Sequence, residues 1–420
     1  MTPTPRELSR TLGAPQLVAY YVSSLVGVGL LATPLLTAEI AGPACLIAWG
    51  VLVLVSYPFA HVFARISIAH PHSGGIASFV ERVFGSRTGD AVGLLLVAAM
   101  VTLTTVMGMV TAQYLHVLLG ASGTADPVPL GLAAISVSVL INLVGLRLGS
   151  KVQAAALVAL ITTLIALLIL SAPHARPENL TPFAPAGWTA VGSAAVICFF
   201  AFLGWENVAT LAEEVRDPEK TFARAIKWAT AIIAALYMAL AAMTVLVLAP
   251  ESASPERTVL SALLTAGAGE QAARVGESIA VGVLIVATNA WVLGCSRLIY
   301  ALARDGVLPR RLSTLSRRAA TPYQALLALL GGCAVVAGLA SVARLRTQDL
   351  ITLVDATFVL VYLVCFVAAL RHFSSRRIRR RAWTALAGTT MFLPFLGPAL
   401  LVAAAMAALA FVGANRTVRG

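Results

Sequence analysis

Long apolar runs dominate the chain, separated by short clusters of charge, Pro or Gly. Runs of about 18 residues or more read as transmembrane helix candidates. They cover 14–38, 44–68, 90–118, 129–146, 152–171, 189–212, 225–249, 276–301, 323–342 and 350–371. A last run, 383–413, is long for one helix and short for two. Pro394 and the Gly397-Pro398 pair near its middle predict a tight helical hairpin. The pattern predicts an all-α integral membrane protein of about twelve transmembrane helices, with eleven as the alternative.

Composition points the same way. The chain of 420 residues is 59% hydrophobic and 11% charged, with a mean hydropathy of +0.89. Soluble domains are about 45–50% apolar and about 25% charged, and they leave too much surface wet to hide such an excess. The net charge of +12 could suit nucleic acid only if it clustered on a folded soluble face. It sits instead in short loops. With the N-terminus assigned to the cytoplasm, the outside loops hold only Arg176, Arg257, Arg274, Arg344 and Arg346, and every other Lys and Arg falls inside. This is the positive-inside pattern of a multi-pass cell-membrane protein with both termini cytoplasmic. It excludes a nucleic-acid partner and leaves membrane lipid as the surrounding one. Residues 1–420 form a single transmembrane domain, since no loop is long enough to carry a soluble core.

Arg6 and Arg10 before the apolar stretch resemble a signal peptide, but the stretch runs too long and no cleavage site follows, so its retention is expected. Cys45, Cys198, Cys295, Cys333 and Cys365 lie in or beside apolar runs without metal-ligand spacing. They are expected to pack as small residues, with no disulfide, metal or cofactor implied. His61 and His116, in or at the ends of spans, are expected to bond backbone carbonyls. His70 and His72 are expected to be solvated.

Two segments break the rules of a lipid-facing helix. In segment 1, Gly27 and Gly29 flank Val28 at mid-span, with Pro34 just beyond. Such glycines serve either a close helix contact or the approach of another group to the backbone. In segment 6, Gly204-Trp205-Glu206 follows Phe199 to Leu203. A mid-span carboxylate costs roughly 2.5–3.5 kcal/mol on insertion scales and is a functional hypothesis by default. A structural Glu bonding freed backbone amides is the compatible alternative. The two segments hold corresponding positions in two five-helix halves, about 14–171 and 189–371. Paired interrupted segments point to an inverted-repeat carrier with its site at the midplane. Half-helix N-termini there would bind an anionic group and unwound carbonyls an ammonium, which suits a zwitterion such as an amino acid.

These residues resemble a known family. Gly27-Val28-Gly29-Leu30 with Pro34 is similar to the first-helix GxG signature of the amino acid–polyamine–organocation transporters. Pro71-His72-Ser73-Gly74-Gly75 resembles their P-x-(S/A)-G-G loop. Phe200 to Glu206, then Glu214 to Pro218, resembles their sixth-helix F-x-G-x-E motif and following E-x-x-(N/D)-P loop. Ser296-Arg297 with Arg304-Asp305-Gly306 and Pro309 resembles their eighth-helix end. Among these transporters the chain is most similar to bacterial exporters of methionine and branched-chain amino acids.

The resemblance implies a LeuT-like 5+5 inverted repeat with discontinuous helices 1 and 6, plus peripheral helices at 383–413. It implies that the amides of Gly27, Val28 and Gly29 bind the substrate carboxylate. The carbonyls of Leu25, Phe200 and Leu203 would receive the ammonium. Phe200, Phe202 or Trp205 would close over the substrate. Glu206 falls to gating or proton coupling, and Trp291 and Thr357 are side-wall candidates. One departure stands out. Several sodium-independent relatives place a Lys inside the fifth helix, whereas here Lys151 lies at its edge and Ala154 to Leu170 carry no charge.

The function expected is secondary active export of neutral apolar amino acids (methionine, leucine, isoleucine, valine) by alternating access, proton-linked or by exchange. One alternative is an uptake permease or antiporter for cationic amino acids or amines, using Glu206 or Asp355 as counter-charge. Another is a sensor that binds without transporting. Asp355 lies within an apolar run, either as a functional acid or at a mouth that water reaches. An enzyme is not expected: the acids are scattered, with no metal-spaced His cluster and no nucleotide motif.

Overall fold

The computed structural model describes residues 12–70, 75–120, 126–144, 150–206, 215–248, 258–316 and 321–417. Outside them lie Arg6, Arg10, Arg147, Arg257, Arg317, Arg318, Arg419, the loop motif through Gly74, the far half of segment 6 and Glu214. The described residues form α-helices linked by short turns, with one isolated β-bridge, Leu12 to Val215.

Segment 1 is two helices, α1 (Ala14–Leu25) and α2 (Val28–Ala41). A short 3-10 turn separates α2 from α3 (Cys45–Ala69). Next come α4 (Gly75–Phe84), α5 (Ser86–Leu119), α6 (Pro127–Leu143) and α7 (Ser150–Ser171). The chain continues through α8 (Thr189–Ala201), α9 (Pro218–Val247), α10 (Val259–Arg304), α11 (Tyr323–Val342) and α12 (Thr347–His372). It ends in α13 (Arg376–Thr390) and α14 (Pro398–Thr417).

Among the described residues, seven stretches are long and apolar enough to cross a membrane, α6 and α8 are shorter apolar helices, and the C-terminal pair bends by 117°. The bend falls at Leu396-Gly397, beside the prolines that predict it. Leu54, Val342, Leu401 and Leu409 are each more than 70% exposed. A soluble monomer does not present apolar surface on this scale, whereas lipid solvates it. The chain is a multi-pass membrane protein.

Two helices appear where loops were expected. α4 forms before segment 3 because Ile76, Phe79 and Val80 bury one face while Glu81 stays exposed. α10 begins at Val259, not near 276, and turns at Gly269, whose φ is 82°. Thr258 caps it by accepting from the Ser261 amide at 3.0 Å, and its hydroxyl donates to buried Glu277 beyond the turn. His70 stays partly exposed, as expected, and has neighbours. Its Nε2 lies 3.3 Å from Nε2 of His372, and Arg82 lies 3.1 Å from its Nδ1, so the ends of α3, α4 and α12 meet there. His61 bonds the Tyr57 carbonyl at 3.0 Å, as expected. All five cysteines are free and buried.

α5 runs through the centre of the bundle against α6, α10 and α12, while α1 packs on α9 and α2 on α8. The α2–α8 contact is the tightest feature near the interrupted segments. A Cβ at Gly29 would stand 2.5 Å from Ala201 Cα, so two backbones touch without side chains between them. Gly29→Val should destabilise the protein by about 1–3 kcal/mol through overpacking. Thermal unfolding in detergent checks this, and an unchanged midpoint would contradict so close a crossing.

Candidate functional site

The site grows from the ends of three helices. α1 stops at Leu25 and α8 at Ala201, so two C-termini meet beside the N-terminus of α2. Helix C-termini expose carbonyls and carry partial negative charge, and N-termini expose amides and carry partial positive charge. The first α2 bond closes from the Leu31 amide to the Gly27 carbonyl at 3.3 Å, which leaves the amides of Val28, Gly29 and Leu30 without an intrahelical acceptor. One small volume thus pairs amide donors with carbonyl acceptors.

The two interrupted segments touch. Gly204 has φ 126°, a conformation that strains any L side chain, and a Cβ there would lie 3.0 Å from Ser24 O. Ser24 Oγ donates to the Gly204 carbonyl at 3.4 Å. Tyr237, from α9, sets its hydroxyl 2.8 Å from the Leu25 carbonyl and 2.7 Å from that of Ala201. A phenol has one hydrogen, so it donates to one of these carbonyls at a time and holds both helix ends against it.

Glu206 answers its two readings in part. Its Oε2 accepts from the Gly204 amide at 3.0 Å and from the Tyr362 hydroxyl at 2.5 Å, which is the structural role of bonding an amide freed by the break. Oε1 has no partner among the described residues. Tyr362 is itself enclosed by Phe59, Phe63, Phe199, Phe358 and Phe366. Glu206 therefore sits at the edge of an aromatic cluster that joins α3, α8 and α12.

The other expected residues fall into distinct places. Phe202 packs with Trp49 and Tyr237, at ring separations of 6.2 and 5.0 Å. Trp205 lies 5.2 Å from Tyr21. Leu25, Val28, Phe200 and Leu203 are buried, and the Phe200 carbonyl already accepts from the Leu203 amide at 3.3 Å. Gly29 packs against Ala201, while a Cβ at Gly27 would meet only Ala287, at 3.7 Å. Gly27 is thus the glycine with room beside it. Trp291 is partly buried against the core and makes no ring contact with these aromatics among the described residues. The Thr357 hydroxyl bonds back to Leu353 at 2.8 Å. Asp355 is 0% exposed, so the mouth that water would reach is not its place. Among the described residues no cluster of three or more His, Cys, Asp or Glu could hold a metal.

The sequence model of amino acid permeases matches residues 12–419. The chain belongs to the amino acid permease family. This permease is therefore a membrane transporter of the amino acid–polyamine–organocation superfamily, and the family's substrates are small-molecule amino acids. It is 30% identical over 409 residues to the Uncharacterized amino acid permease YecA of Bacillus subtilis, covering 96% of this chain and 95% of that one. It is 25% identical to the Branched-chain amino acid permease BcaP of Bacillus subtilis, over 85% of this chain and 82% of BcaP. It is 28% identical to the L-methionine/branched-chain amino acid exporter YjeH of Escherichia coli, over 88% of each.

Tyr237 and Tyr362 were not singled out by sequence. The available signal was a phenol in an otherwise apolar span, since a buried Tyr hydroxyl needs a partner. Tyr237→Phe should leave the Leu25 and Ala201 carbonyls without this donor and cost about 1–3 kcal/mol. A thermal midpoint in detergent equal to that of the unmutated permease would show that the hydroxyl holds neither helix end.

Proposed function

We propose that this permease is a secondary active transporter that exports neutral apolar amino acids, namely methionine, leucine, isoleucine and valine, by alternating access, proton-linked or by exchange. The observation that carries the reading is the meeting of the α1 and α8 C-termini with the α2 N-terminus. The amides of Gly27, Val28 and Gly29 bind the substrate carboxylate there, with Gly27 as the member least crowded by its neighbours. The carbonyls of Leu25, Phe200 and Leu203 take the ammonium, using the lone pairs that protein donors leave. Phe200, Phe202 and Trp205 close over the side chain, and Trp291 belongs to the outer wall. Glu206 couples the break to α12 through Tyr362 and so gates the cycle.

The neutral class is supported over the cationic one by the bonds of Glu206. One of its oxygens is committed to Gly204 and Tyr362, which leaves a weaker counter-charge for a basic side chain. The names of BcaP and YjeH, given to relatives, support the same class. In this reading the chain is one domain of twelve spans, with LeuT-like repeats over about 14–171 and 189–371, peripheral helices at 383–413 and both termini cytoplasmic in the cell membrane.

Counterflow in proteoliposomes tests the reading. Vesicles preloaded with unlabelled methionine or leucine should transiently accumulate the labelled amino acid, and Glu206→Gln should slow that accumulation more than it weakens binding. Accumulation with arginine alone would replace the neutral reading with the cationic one, and binding without any counterflow would indicate a sensor.

A further inference from the structure

Asp355 differs from the other buried acids among the described residues. Glu206 and Glu277 each have one oxygen hydrogen-bonded and one unpartnered, whereas Asp355 has both oxygens unpartnered at 0% exposure. Its helix gives no structural reason for a carboxylate. α12 is continuous from Thr347 to His372, so no freed amide calls for an acceptor beside Asp355. Hydroxyls that follow it on the same helix are engaged elsewhere: Thr357 bonds Leu353, and Tyr362, two turns further along, bonds Glu206.

Among the described residues no salt bridge to Asp355 replaces the missing donors. The titratable groups whose fields couple with that of Asp355 are the Cys198 thiol on α8 and the Tyr362 phenol on its own helix. Among the described residues no charged group on α3, α4, α5, α13 or α14 does so. Among the described residues an ionised carboxylate sealed here would meet neither donor nor cation, a costly state for a charge in a membrane. An apolar residue would suit such a surrounding at less cost. Segment 5 offers no substitute, since residues 152–171 include no ionisable side chain.

We propose that Asp355 is the proton-carrying group of the transport cycle, resting on the reading of this permease as a proton-linked carrier. While the bundle is open to one aqueous phase, the carboxylate takes one proton from water. It stays neutral while sealed as it is here, and returns the proton to water once the bundle opens to the other phase. One O–H bond forms and later breaks, and no electrons change hands. Glu206 keeps the separate task of holding the break, and Tyr362 lies between the two acids.

The test uses the full chain in proteoliposomes with a lumenal pH dye, reading proton movement evoked by methionine or leucine alongside counterflow of the same amino acid. In Asp355→Asn the ratio of proton movement to counterflow should fall about tenfold or more, and Asp355→Glu should restore it to within about twofold of the starting protein. An undiminished ratio in Asp355→Asn would overturn the proposal. Counterflow in the unmutated permease without any evoked proton movement would also overturn it and leave the carrier reading standing. Absence of counterflow would instead overturn the carrier reading itself.

Should the Asn variant fail to fold, dicyclohexylcarbodiimide provides a second measurement on the unmutated permease. It adds to protonated carboxyls reached through lipid. Loss of proton movement with the adduct mapped to Asp355 supports the assignment, and the same loss with Asp355 unmodified contradicts it.

Discussion

A helix interrupted in hydrocarbon must find partners for every amide and carbonyl that the break releases. This constraint organises the centre of the permease. The carbonyls freed at Leu25 and Ala201 share the Tyr237 hydroxyl. The Gly204 amide goes to Glu206, and the Gly204 carbonyl accepts from Ser24. The interruptions are repaired by each other, by Glu206 within the second of them, and by side chains from α9 and α12. The aromatic residues nearby follow from the same need. Tyr237 and Tyr362 bring polar tips on apolar bodies, and the rings of Trp49, Phe202 and the phenylalanines around Tyr362 fill the space those tips leave.

Much of this architecture is legible along the chain. The apolar runs mark the helices because lipid-facing segments need no alternation. The interruptions at Gly27 and Gly204 are visible because glycine and a carboxylate are out of place at mid-span. The C-terminal bend follows from Pro394 and Gly397-Pro398. Short amphipathic helices are harder to see: α4 and the start of α10 lie between longer runs, and their faces are set by neighbours that sequence does not name. The tyrosine contacts are harder still. Tyr237 meets Leu25 across 212 positions of sequence, and nothing local in segment 7 announces that partner. Asp355 was legible as an anomaly but not as a sealed one, because burial is a property of the assembled bundle.

The acids illustrate how one residue type takes different parts. Glu206 sits where the backbone has come undone and lends its oxygen to the repair. Glu277 ties the turn at Gly269 to the cap of α10 through Thr258. Asp355 mends nothing.

The contact between Gly29 and Ala201 bears on how such a bundle can move. At this crossing the two backbones stand in van der Waals contact, so no side chain there takes up a change in the spacing of α2 and α8. A displacement of either helix at this point is therefore passed directly to the other. No room for a ligand remains between the pair at this crossing.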